Sequence, residues 1–224
     1  MLQINNLTIK SATANHSDAM DAGTHFKNWA KSLASRGHFF ITAYFVLLLL
    51  FCGCDNNNRS ITFTDSRGNE VAIPYGEKSC AMRVVSFTPG TPWTSDPRAM
   101  DPDKILGIPD YDEIDDINYI TLGDGGVIVL EFGVFFTDGA GNDIYVFEIG
   151  DNVEATKVEV SADLENWYYV GDADGSSSGV DMKGKVPEGS KFKYIRLTDL
   201  YSAPGGYWPG ADIDAVAVLY PVME

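Results

Sequence analysis

Past residue 60, no window of this chain holds a helical period for three turns, while short apolar-polar alternations recur between Gly, Pro, Asn and Asp. Alternation with a period of two is what a half-buried strand requires, because successive side chains point to opposite faces of a sheet. The pattern predicts nine strands, at 61–64, 70–73, 83–87, 127–132, 143–149, 157–161, 167–171, 193–198 and 212–220. The first two flank DSRGN and form a hairpin; DADGSSSG (172–179) and YSAPGGYWPG (201–210) are loops rich in turn formers. The class is all-β, and many short strands at this length favour a two-sheet antiparallel sandwich over a small barrel. In KVEVS, Val158 and Val160 share one face; in KYIRLTD, Ile195, Leu197 and Asp199 share another, with Asp199 at the strand end.

Before this region lies FFITAYFVLLLLF, a thirteen-residue apolar block at 39–51. It falls short of the roughly 20 residues a membrane-crossing helix needs. Lys27, Lys31 and Arg36 precede it and Gly53-Cys54 follows, in the order of an export signal. FCGC resembles the lipobox of bacterial lipoproteins, and that resemblance implies lipid attachment at Cys54 and anchorage to a membrane outside the cytoplasm. The chain therefore divides into a leader at 1–53, a polar tether (CDNNN) at 54–58, and a domain at 59–224, with a hairpin at 59–80 and a sandwich core at 83–220. Met20 offers a start that would give a leader of more ordinary length.

The chain carries 16 Lys and Arg against 32 Asp and Glu; without the four bases and two acids before Cys54, 12 remain against 30, a net charge of −18. Such a surface repels phosphate backbones and excludes nucleic acid as a natural partner. All three histidines (His16, His25, His38) lie in the leader, which removes Ser-His-Asp and Cys-His catalysis and imidazole zinc sites from the domain. Cys80 is the one cysteine beyond Cys54, so the domain has no internal disulfide, and it reads as a small buried hydrophobe.

From Phe87 to Leu219 a series of phrases runs in order: FTPGTPW, DPDKILGIPDYDE, YITLGDGGVIVLEF, TDGAGNDIYVFEIG, VEVSADLENWYYVG, KYIRLTDL and GADIDAVAVL. The series resembles the discoidin-like, galactose-binding-like β-sandwich domains of bacterial cell-surface proteins. It implies a jelly roll, a structural calcium ion, binding loops at one end, and a non-catalytic adhesive or carbohydrate-binding role. The opening ITFTDSRGNEVAIP resembles the first hairpin of periplasmic siderophore-binding proteins, whose chains continue as a much longer α/β fold.

Two sets of residues could carry that role. Asp143, Glu148, Asp199, Asp212 and Asp214 are the candidate calcium ligands: Asp212 and Asp214 stand two apart, and calcium takes six to eight oxygens, at about 2.3–2.6 Å. Asp212 could instead pair with Arg196 or Lys193. Trp93, Tyr207 and Trp208 lie in Pro- and Gly-rich loops and are the candidate ligand-binding aromatics, for stacking on a sugar or a partner; Trp167 reads as core. The expected function is a surface-anchored, calcium-braced module that binds a glycan or another surface ligand. The alternatives are an envelope-assembly lipoprotein with a protein partner, an accessory to metal uptake, and a weak glycoside hydrolase working through a pair of acids.

Overall fold

The computed structural model describes residues 59–65, 67–111, 118–149, 154–174, 178–200 and 208–223. Twelve strands are present among them: β1 (Ile61–Thr64), β2 (Glu70–Ile73), β3 (Ala81–Thr88), β4 (Ile120–Thr121), β5 (Val127–Phe136), β6 (Ile144–Glu148), β7 (Thr156–Ser161), β8 (Tyr168–Ala173), β9 (Ser178–Val180), β10 (Phe192–Asp199), β11 (Asp212–Val218) and β12 (Pro221–Val222). They form an all-β, two-sheet antiparallel sandwich. One sheet runs β12-β5-β10-β7-β8, with β3 also on β5; the other runs β4-β11-β6-β9. From β5 onward the chain crosses repeatedly between the sheets, as in a jelly roll, so neighbours in a sheet are distant in sequence. Among the described residues, no helix is long and apolar enough to cross a membrane.

The period-two faces meet between the sheets. Ile128, Leu130, Phe132 and Phe136 of β5, Val158 and Val160 of β7, and Ile195 and Leu197 of β10 pack against Ile144 and Val146 of β6 and Ile213, Val216 and Val218 of β11. Phe136 is the hub of an aromatic cluster, with ring centroids 5.5 Å from Phe132 and 6.0 Å from Phe192. Each such ring stabilises the fold by about 2–3 kcal/mol through burial.

A second apolar cluster makes a third layer. Val71 and Ile73 of the β1–β2 hairpin pack with Tyr145, Phe147, Ala215, Ala217 and Cys80 on the far side of the four-stranded sheet. Cys80 is buried and free, as expected of a small hydrophobe, and burial pushes its thiol up to about 12. Asp65 closes the hairpin: it accepts the Arg67 and Asn69 N–H groups at 2.9 and 2.7 Å and the Tyr145 hydroxyl. Burial alone would raise its pKa, but the Tyr145 and Asn69 hydrogen bonds outweigh that and hold it below the ordinary carboxylate value.

Three short strands and one placement depart from the sequence reading. β4, β9 and β12 are two or three residues long and exist through pairing with β11, β6 and β5, so no local period announces them. β9 accordingly falls at the end of the stretch expected to be loop. Trp167 is only half-buried: its ring lies under the Arg196 guanidinium, 4.3 Å away, on the face opposite Ile195 and Leu197.

Candidate functional site

Among the described residues, segments around 90–92, 122–126, 155 and 210–211 meet at one end of the sandwich. The turn before β5 takes part in most of the bonds: Gly90 N–H donates to Leu122 O at 2.9 Å, Thr91 N–H to Asp124 O at 3.0 Å, Asp124 N–H to Pro92 O at 3.1 Å, and Leu122 N–H to Ala211 O at 2.9 Å. Asp199 N–H donates to Gly126 O at 2.9 Å and Leu200 N–H to Ala155 O at 2.9 Å, drawing in the ends of β10 and the start of β7. The backbones come so close that a side chain at Gly210, which has φ +80°, would run into the Gly123 backbone.

Into this pole point four carboxylates. Asp199, last residue of β10 and on its inward face, is 3% exposed; its Oδ2 accepts Gly125 N–H at 2.8 Å and its Oδ1 accepts Ala211 N–H at 3.1 Å. Asp124 is 8% exposed, and its Oδ1 is buried with no hydrogen-bond partner among the described residues. Glu154, also buried, accepts the Gly210 N–H, and Asp212 accepts the Thr121 hydroxyl. Thr156 stands opposite Asp199 in the β7–β10 register, and its buried Oγ1 likewise has no partner among the described residues.

The electrostatics of this pole are one-signed. Burial first, and then the acids Asp212, Asp199 and Asp124, raise Glu154 to about 7 against the opposing Gly210 N–H. Burial lifts Asp212 to about 7 as well, against the opposing hydrogen bond from Thr121. Asp124 is raised by burial and then by Asp199. Buried carboxylates this close favour protonation or a cation between them.

The other expected ligands stand elsewhere. Asp143 precedes β6 and Glu148 ends it, so at about 3.3 Å per residue they lie about 16 Å apart and cannot share an ion. The single five-acid site is thus corrected by strand geometry. Asp143 instead lies with Asp138 and Asp181, their nearest oxygens all within 4.8 Å. It accepts Gly139 N–H and Met182 N–H, each at 2.7 Å; burial raises its pKa, those two bonds oppose the rise, and Asp138 and Asp181 add to it. Because Asp124 precedes the ten-residue β5 and Asp138 follows it, the two acid groups sit at opposite ends of that strand, roughly 30 Å apart. Glu148 is buried at the end of β6. Asp214 accepts Asp110 N–H at 3.3 Å and is raised by burial to about 7. The β11 register shifts between Ile213 and Ala215, so the spacing of two does not give Asp212 and Asp214 common partners. Arg196 pairs with Glu159 and Lys193 with Glu131 rather than with Asp212.

Of the candidate aromatics, Trp93 lies half-buried at the acidic pole: its Nε1–H donates to Thr121 O at 2.7 Å and its ring meets Phe87 edge-on at 5.7 Å. Trp208 is half-buried two residues before Gly210, while Tyr207 and Cys54 lie outside the described residues. Asp124, Glu154 and Thr156 were not singled out from sequence. The run LGDGG around Asp124 was the available signal, since clustered glycines mark close backbone approach.

No protein-family model matches the chain, and no curated protein matches it in sequence. Similar solved structures include the C-terminal domain of a chitobiase from Bacteroides fragilis, at 14% identity and TM-score 0.37, over 73% of this chain and 100% of that one. A CBM32-6 module produced by Clostridium perfringens gives 9% identity and TM-score 0.37 over 63% of this chain and 94% of that one. CBM32-3 from a family 31 glycoside hydrolase of the same organism gives 13% and 0.36, over 64% and 93%. With TM-scores of 0.37 or less, these likenesses say nothing about individual residues.

Proposed function

We infer that the domain is the non-catalytic binding module of an exported, lipid-anchored surface protein, that calcium braces its acidic pole, and that its ligand is a glycan. The observation that carries the calcium reading is the pair of buried oxygens without a hydrogen-bond partner among the described residues, Asp124 Oδ1 and Thr156 Oγ1, beside Asp199 and Glu154. An unmet buried carboxylate oxygen is unfavourable by about 1–3 kcal/mol or more, and a hard cation with oxygen ligands removes that penalty. A bound ion there would lock the loops that carry Trp93 and Trp208 and so preorganise the rim for a sugar ring. Anchorage through Cys54 accords with the lipobox-like FCGC.

The raised pKa values of Glu154 and Asp212 favour one second reading, an acid-pair glycoside hydrolase, which needs one carboxyl protonated near neutral pH. Thermal melts with calcium and with chelator, run beside a reducing-sugar assay on galactan and chitin, separate the two. Calcium stabilisation without sugar release supports the module. Sugar release abolished by Glu154→Gln, with no calcium shift, supports the hydrolase.

A further inference from the structure

The outer face of the six-stranded sheet has the opposite character from the rest of the domain. Arg83, Lys157, Lys193 and Arg196 are four of the 12 bases beyond Cys54, whereas among the described residues Glu131, Glu159 and Asp172 are the acids in contact with them or their neighbours, three of 30. Two ladders organise them. Arg83 Nε lies 2.8 Å and Lys193 Nζ 3.4 Å from Glu131; Arg196 Nε lies 2.7 Å and Lys157 Nζ 2.9 Å from Glu159. Each glutamate serves two bases, and Asp172, opposite Lys157 in the β7–β8 register, offsets one of the two charges left over, so the four cations exceed the three acids by one.

Depth sorts the charges further. The side chains of Glu131 and Glu159 are 13% and 9% exposed, while those of Arg83, Lys157, Lys193 and Arg196 are 58%, 37%, 30% and 28% exposed. Glu131 and Glu159 thus lie beneath their cations, while Asp172 is exposed across the strands from Lys157. Three of the four cations stand over rings: Arg196 over Trp167 at 4.3 Å, Lys157 over Tyr169 at 5.8 Å, and Lys193 over Phe135 at 5.6 Å. Tyr169 keeps half its surface exposed. From β3 to β8 the face crosses four strand spacings, roughly 19 Å, enough for several sugar units.

We propose that this face binds a polyuronate, a polysaccharide bearing one carboxylate per sugar. Spaced carboxylates match spaced cations, and the half-exposed Tyr169 offers apolar surface to a sugar ring beside them. The proposal deepens the glycan-binding reading by naming the ligand class, but it uses a surface other than the acidic pole and needs no calcium.

The test is calorimetric titration of the whole protein, extracted in mild detergent and held in chelator, with polygalacturonate, neutral galactan and a single-stranded oligonucleotide. Polygalacturonate binding that weakens as salt rises, and weakens about tenfold in the double variant Arg83→Gln/Lys157→Gln, is the expected result. Both substitutions leave their glutamates with the second base, and an unchanged melting temperature verifies the fold. The proposal is overturned by absence of polygalacturonate binding at low salt, by equal binding of galactan or the oligonucleotide, or by affinity unchanged in a folded double variant. A protein that binds galactan but not polygalacturonate keeps the glycan-module reading while losing this surface.

Discussion

Asp199 and Thr156 face each other across β10 and β7 at the acidic pole, the carboxylate held by two backbone N–H groups and the hydroxyl with no partner among the described residues. In a well-packed interior such a hydroxyl marks a place for another oxygen-seeking group. Calcium in millimolar excess is therefore expected to raise the melting temperature by a few degrees, corresponding to about 1–2 kcal/mol for an extracellular-type site. Asp124→Ala should abolish the shift. A melt unchanged by calcium would return the pole to a cluster of protonated acids.

Without calcium, pH should act in an unusual direction. Glu154 rises from 4.5 to about 7 and Asp212 from 3.8 to about 7 on folding. Below about pH 3 the protons are bound in both states. As pH rises toward 7 the unfolded chain releases them first, so their contribution to stability is lost over that interval. The calcium-free protein should thus be more stable at pH 5 than at pH 8, by on the order of 1–3 kcal/mol in urea titrations, and saturating calcium should flatten the trend. Glu131 and Glu159, lowered by their bases despite burial, lose their contribution only at pH below that window.

Gly210→Ala tests whether the loops are interlocked. A methyl group there meets the Gly123 backbone at a positive φ, whereas Gly184, with φ +72°, has open space around it. Gly184→Ala should cost about 1 kcal/mol for its backbone alone. Gly210→Ala should cost more, about 2–3 kcal/mol, and should also reduce the calcium shift. Equal losses in chemical denaturation would refute the close packing.

Tyr145→Phe removes the hydroxyl that joins the four-stranded sheet to Asp65 of the hairpin. Because Asp65 retains the Arg67 and Asn69 donors, the loss should be about 1–2 kcal/mol. Hydrogen exchange should localise it to β1 and β2; protection unchanged in those strands would show that the bond does not hold the third layer.

Metabolic labelling tests the anchor independently. Radiolabelled palmitate should mark the wild-type chain and not Cys54→Ser, which should leave the membrane fraction. Labelling retained in the variant would place the lipid elsewhere.

Much of the architecture was legible before any coordinates. The inward pairs Val158 with Val160 and Ile195 with Leu197, the hairpin around DSRGN, and burial of Cys80 all follow from local chemistry, because alternation and turn residues act within a few positions. Asp199 at the end of an inward face was also readable, since its parity with Ile195 and Leu197 carries to the strand terminus.

The grouping of acids was not. Asp124, Glu154, Asp199 and Asp212 come from four separate segments, and only the crossings between sheets bring them to one end, while Asp143 goes to the other with Asp138 and Asp181. Composition determined that the domain is acidic and histidine-free, and local alternation that it is built of strands. The tertiary fold decided which carboxylates share a low-dielectric pocket and which cations gather on one sheet face, because strand order and register, which set those neighbours, depend on long-range pairing that no local window contains.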